Sequence, residues 1–253
     1  MSYTTDKLRN KRIVVVGGSS GIGFGAAQAF LLNGANVTII SSSSDRIQKA
    51  VETLKSTTSS STVDGRVGDV RDEVAFTKLL LELAPVDHLV FSSVDKIIRG
   101  PLATLDLNDA KHLFGVKFWG SVVVGKAVLA NEIIKPGGSL TLTSGTAGIK
   151  PGKGAAVGGA LNGGVLSLTK GLASDLADKK IRVNTVVPGL VKTELWDKIW
   201  EEDKKKALVA SGEGLPVGFV AEPQDIAEAY VYLVRADYAT GTLVEIDGGK
   251  LLQ

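Results

Sequence analysis

Along this chain, short runs rich in β-branched residues alternate with longer segments whose apolar positions recur at helical spacing. The runs are RIVVVG, NVTIIS, STVDGRVGDV, DHLVFS, GSLTLTS, IRVNTVVPG and TLVEIDGG. Between them lie GIGFGAAQAFLLNG, DRIQKAVETLKS, EVAFTKLLLELA, LNDAKHLFGVKFWGSVVVGKAVLANEII, a glycine-rich segment running into LTKGLASDLA, and EPQDIAEAYVYLVR. Near-continuous apolar strands are buried on both faces, and strand–helix–strand succession covers both faces of a sheet with helices. The pattern predicts an α/β fold: a doubly wound, parallel, seven-stranded sheet with helices on both sides.

No composition shift marks a domain boundary, so residues 1–253 read as one domain. Residues 56–62, STTSSST, are a polar surface loop. Residues 192–221 interrupt the alternation and carry Trp196 and Trp200 one helical turn apart. They are expected to form either a surface helix anchored by the two indoles or an apolar lid over a substrate.

Composition narrows the picture. At 253 residues and 44% hydrophobic content the chain can bury a large core. Its 29 basic and 27 acidic residues are interspersed, with no basic stripe of the kind nucleic-acid binding needs. There is no cysteine, which excludes disulfides, thiolate metal sites and a cysteine nucleophile. His88 and His112 are too few for most metal sites, and no metal is expected. The polar start MSYTTDKLRNKR and the strand-length IVVVGG do not read as a leader or a membrane span. A cytoplasmic protein with no nucleic-acid or membrane partner is expected.

VVVGGSSGIGFG places glycines after a buried strand and at the opening of a helix. Gly17 permits the tight turn, the backbone from Gly18 to Ile22 can approach a pyrophosphate, and the helix start aims free N–H groups at that anion. Ser19, Ser20, Gly21, Ile22 and Gly23 are accordingly candidate cofactor residues. The second strand ends TIISSSSDR, with no carboxylate at the position that would hold the ribose 2′-hydroxyl of NAD. Ser41, Ser42, Ser43 and Arg46 offer hydroxyls and a guanidinium instead, which suit a 2′-phosphate, so NADP(H) is the expected cofactor. The alternative is that Asp45 and Arg46 only cap and solvate the next helix. In GDV, Asp69 with Val70 stands where a carboxylate meets an adenine amine or caps a helix.

With these motifs in place, the chain resembles the short-chain dehydrogenase/reductases over nearly its full length, which implies a Rossmann fold. GGSSGIG resembles the family's glycine motif and GDV its adenine-side motif. IRVNTVVPGLVKTEL is similar to the segment that cradles the nicotinamide, implying roles for Pro188, Gly189, Leu190, Val191 and Thr193. FSSV stands where the family has an asparagine-rich turn, implying Ser92, Ser93 and Val94. The catalytic seats differ. Ser144 matches the family serine, but thirteen residues on, at the proton-donating tyrosine, stands Val157, and four further, at the lysine, Leu161. Lys117 aligns with the family's helix asparagine.

An aliphatic residue cannot protonate an alkoxide, and a positioned acid contributes roughly 10² to 10⁴ in such steps. Carbonyl redox by the family mechanism is therefore not expected. Three readings stay open. One is hydride transfer to an iminium-type electrophile that needs no tyrosine acid, with Ser144 orienting the substrate and coupling to a cyclisation. A second is a redox-neutral cyclase or isomerase, in which Lys117 and Ser144 polarise the substrate. The third is a non-catalytic, cofactor-binding regulatory subunit. The first two agree with a resemblance to fungal family members lacking the tyrosine and lysine, among them reductases that couple iminium reduction to a Diels–Alder cyclisation in indole-alkaloid secondary metabolism. That subgroup carries Pro-Asp-Pro-Gly-Trp where this chain has PGKGA, so Gly152 replaces the aspartate and Ala155 the tryptophan.

Lys150 and Lys153 on this loop are candidates for attracting an acidic substrate, and Asp95 for lining the pocket. The substrate is expected to be small and largely apolar. Ala155, Gly159 and Gly163 recur at four-residue spacing. Each helix glycine costs about 1 kcal/mol relative to alanine, so a close neighbour is expected there. The resemblance implies that this helix meets its copy in a second subunit, giving a homodimer or homotetramer.

Overall fold

The computed structural model describes residues 6–58, 61–196 and 201–253. Seven strands form one sheet: β1 (Arg12–Val16), β2 (Asn36–Ser41), β3 (Val63–Val67), β4 (Val86–Phe91), β5 (Ile134–Thr143), β6 (Arg182–Pro188) and β7 (Leu243–Ile246). All neighbours are parallel, in the order β3-β2-β1-β4-β5-β6-β7. The winding reverses between β1 and β4, and at such a switch point a crevice opens beyond the carboxyl ends of the strands.

Strand period two divides the core. Ile13 and Val15 of β1 face α1 (Gly21–Leu32), α2 (Ser44–Lys55) and α8 (Pro223–Arg235), where they pack with Phe30, Leu54 and Tyr230. Val14 and Val16 face the opposite layer, α3 (Glu73–Leu83), α5 (Gly120–Ala130) and α6 (Ala156–Asp175), with Phe76, Val128 and Val165. Burying each such side chain contributes about 1.5–3 kcal/mol. Side chains stop the unpaired N–H groups at three helix starts from going unsatisfied: Ser43 caps α2, Asp72 caps α3 and Asp106 caps α4 (Leu107–Leu113).

Two features of the long helical run depart from the sequence reading. The helical run from Leu107 ends at Ala130 rather than continuing through Ile134, because Ile134 opens β5. Within that run, Phe114–Trp119 is a π-helical turn between α4 and α5; it breaks the helical period and so is invisible to a periodicity argument. By length and apolarity residues 107–130 would suffice to cross a membrane, yet Val116, Val124, Ala127 and Val128 of this run form a wall of the core.

The spacing of glycines in α6 is explained within the chain. A Cβ on Gly159 would lie 2.8 Å from Pro151 Cβ and 2.9 Å from the Ala147 carbonyl oxygen. The close neighbour is thus the chain's own loop after β5, and the glycines no longer argue for a second subunit. In the expected lid, α7 (Glu202–Ala210) is present and Trp196 is buried at 3% exposure. Trp200 lies outside the described residues.

Candidate active site

A single cleft at the carboxyl ends of β1, β4, β5 and β6 gathers nearly all of the candidate residues. Its walls include Gly17, Ser19, Ser20, Gly21, Ile22, Gly23, Ser41, Ser42, Arg46, Asp69 and Val70 at one end. Ser92, Ser93, Val94, Lys117, Ser144, Pro188, Gly189, Leu190, Val191 and Thr193 line the remainder. Ser43 is the exception: its hydroxyl accepts the Arg46 backbone N–H as the α2 cap, and it is not among the lining residues. Lys150 and Lys153 are exposed and also lie outside the lining.

The glycine turn is built for close approach. Gly17 has φ +83°, and a Cβ there would sit 2.8 Å from the backbone of Ser92 and Ser93, so only glycine admits the β4 turn against β1. The α1 N-terminus already holds an anion, since Glu194 Oε2 accepts the Gly21 N–H at 2.9 Å. At the end of β2, Arg46 Nη2 reaches Ser42 Oγ at 3.5 Å, while its Nε is buried without a partner. A carboxylate standing on the helix start and a guanidinium with an unused donor fit a dinucleotide that carries a pyrophosphate and a 2′-phosphate.

The rim is tied by a chain of charged groups. Asp69 takes the Arg71 guanidinium in a fork, with Nε at 3.0 Å and Nη2 at 2.6 Å, and that hydrogen bond holds its carboxyl below the usual range. Arg71 Nη1 is 3.3 Å from His112 Nδ1, and His112 Nε2 is 2.6 Å from Asp95 Oδ2. A guanidinium can only donate, so Nδ1 accepts and Nε2–H donates to Asp95. Asp95 lines the cleft, as the sequence suggested, and its Oδ1 is buried without a partner. Four buried side-chain atoms among the described residues lack a hydrogen-bond partner, and two of them, on Arg46 and Asp95, belong to residues of this one cleft.

At the floor, Lys117 rises from the π-helical turn. Its ammonium donates to the Ser144 carbonyl at 2.9 Å and to Asn162 Oδ1 at 2.8 Å. Burial, with no carboxylate to offset it, lowers its pKa to about 8. Ser144 donates its hydroxyl proton to the Asn162 carbonyl at 2.9 Å and is 2% exposed. In this arrangement its proton is engaged with α6, and the hydroxyl keeps lone pairs as acceptors.

The seat of the lysine is buried and that of the tyrosine half-buried. Leu161 is 1% exposed in a cluster with Ile98, Ala110 and Leu113, and Val157 packs against it. Neither residue lines the cleft. A tyrosine does sit below, but Tyr230 is buried, bonded to Thr143 Oγ1 at 2.6 Å, and its phenol is pushed up to about 12 by burial. It cannot take over the lost acid role.

Sequence reasoning missed Asn162, Arg71, His112 and Glu194. Asn162 was findable as the polar side chain in VGGALNGG, and Arg71 as the base two residues after Asp69. His112 and Glu194 act across 41 and 173 residues respectively, and no local pattern announces such contacts.

Comparison with known proteins agrees with this geometry. The family profile described as an SDR-like Rossmann domain matches residues 3–253. The short-chain dehydrogenase/reductase malC of Malbranchea aurantiaca is 33% identical over 260 residues, covering 98% of this chain and 97% of that protein. The solved structure of the MalC reductase/Diels-Alderase from the same organism superposes with a TM-score of 0.88 at 32% identity, covering 98% and 99% of the two chains. A small-chain dehydrogenase crystallised with NADPH gives a TM-score of 0.79 at 31% identity, covering 96% and 100%.

Proposed function

This chain belongs to the short-chain dehydrogenase/reductase family, and from that premise we propose that it is an atypical NADP(H)-dependent reductase of secondary metabolism acting on an iminium-type electrophile. The observation that carries the reading is the pair of unpartnered charged atoms at the two ends of one cleft: Arg46 Nε on the cofactor side and Asp95 Oδ1 on the substrate side. Bound NADPH supplies hydride. Everything else falls to the protein.

Gly17 and the α1 start receive the pyrophosphate, Arg46 with Ser41 and Ser42 the 2′-phosphate, and Pro188 to Val191 with Thr193 the nicotinamide end. Asp95, oriented by His112, supplies the counter-charge for a cationic substrate. Val94, Ile97, Leu195 and Trp196 give it apolar walls. Positioning in such a site accounts for much of the acceleration when the substrate is already electrophilic. The same walls favour a second reading, a redox-neutral or coupled cyclisation, which the reductase/Diels-Alderase name of one relative also supports. A homo-oligomeric assembly is proposed from the family alone.

The test is to titrate the protein with NADPH and NADH and then follow absorbance with an N-alkyl iminium salt. Tight NADPH binding with NADPH consumption supports the reductase. Product formation at equal rates with NADP⁺ and NADPH supports the cyclase, and failure to bind either nucleotide contradicts both.

A further inference from the structure

Lys117 is set up to exchange one particular proton. An ammonium has three N–H bonds and a neutral amine two. The Ser144 carbonyl and Asn162 Oδ1 occupy two, so both hydrogen bonds survive deprotonation and the proton that leaves is the third. Among the described residues that third position has no acceptor, and the lysine lines the cleft.

The elements packed around it supply nothing that would fix the charge. From Ser144, the residue after β5, comes a carbonyl and from α6 an amide oxygen, both neutral. The charged groups sharing the cleft bond elsewhere: Arg46 to Ser42, Asp69 to Arg71, Asp95 to His112, and Glu194 to the Gly21 N–H. The ammonium is thus held in orientation but not in its charged state. Asn162 in turn is fixed by its Nδ2 donating to the Gly158 carbonyl at 2.7 Å.

Resting on the reductase reading, we propose that Lys117 is the proton donor of this site and that Asn162 positions it, so that the substrate class includes neutral imines, protonated in the cleft before reduction. Lys117 Nζ gives its third proton to the imine nitrogen. The C=N bond becomes CH–NH as hydride arrives at carbon from a reduced nicotinamide, which is oxidised, and solvent returns a proton to Lys117. A neutral imine is the fitting partner because its conjugate acid titrates near neutrality, close to the value of about 8 that burial gives this lysine.

Two measurements test the proposal. In the first, trace acetylation of the whole protein, with and without NADP⁺, is followed peptide by peptide between about pH 6 and 10. Half-reaction of Lys117 near pH 8 supports it, and the ordinary lysine profile overturns it. In the second, NADPH consumption is followed with a dihydroisoquinoline imine and with its N-methyl iminium salt. The imine rate is expected to fall above about pH 8, where Lys117 is neutral, and the salt rate to rise as the repelling charge disappears.

Lys117→Met, and Lys117→Arg, which keeps charge but cannot release it, are expected to lose at least about 100-fold more activity on the imine than on the salt. Equal losses on the two probes overturn the proposal. No NADPH consumption with either probe overturns the reductase reading and this reaction with it, and the acetylation profile then shows separately whether the lysine titrates.

Discussion

Glu194 and Gly21, 173 positions apart in sequence, are joined by a hydrogen bond of 2.9 Å from the Gly21 N–H to the Glu194 carboxylate. The carboxylate stands at the α1 N-terminus, where a dinucleotide pyrophosphate would compete for the same donor. A carboxylate at a helix start is worth about 0.3–1 kcal/mol. Glu194→Gln is therefore expected to tighten NADPH binding by about 2- to 5-fold, read by fluorescence titration. An unchanged or weaker affinity contradicts competition at this donor.

Arg46 is expected to govern nucleotide choice. Its Nε has no hydrogen-bond partner among the described residues, and a hydrogen bond to a charged group is worth about 1.5–3 kcal/mol. Arg46→Ala is expected to weaken NADPH binding by about 10- to 100-fold while leaving NADH nearly unaffected. Equal losses for both nucleotides would assign Arg46 a role outside 2′-phosphate recognition.

Leu161 marks the limit of restoring the missing pair. It is 1% exposed among Ile98, Ala110 and Leu113, so Leu161→Lys puts a charge where no partner waits. Removing one partner of a buried pair, which also leaves an uncompensated buried charge, costs about 3–5 kcal/mol. A fall in thermal midpoint of several degrees is expected, without gain of tyrosine-dependent ketone reduction even alongside Val157→Tyr. A stable double variant with new ketone reductase activity would show that the seat opens to the cleft.

His88 sets a pH window for stability. Burial, then the nearby Arg182 charge, lowers its pKa to about 4, and Ser139 Oγ lies 2.9 Å from its Nδ1. The unfolded chain binds a proton near pH 6.5 that the folded chain refuses until about 4. Stability is therefore full above pH 6.5 and declines as pH falls from 6.5 to 4, by roughly 3 kcal/mol in all. Chemical denaturation across that interval should show a shallower decline in His88→Gln than in the parent. Identical slopes would place the acid sensitivity in other groups.

The parallel sheet and most of the residues that line the cleft were legible because they rest on local signals: β-branched runs such as IVVV, and glycines at fixed offsets from a strand. The loss of the acid was legible by counting from Ser144 to Val157 and Leu161. What that counting could not show is where a proton donor would come from instead. Lys117 and Asn162 meet across 45 residues, and the lysine is placed by a π-helical turn that leaves no periodic trace. Ser43 misled for the opposite reason: serines 41 to 44 look alike in sequence, and only the fold decides which of them caps α2.

The most direct measurement is deuterium transfer from NADPH labelled at the reactive nicotinamide carbon to an N-methyl iminium salt, analysed by mass spectrometry of the amine. Hydride transfer in this cleft predicts one deuterium in the product and NADP⁺ in equal amount. Amine or cyclised product that forms without deuterium, or no product from a protein saturated with NADPH, would contradict it.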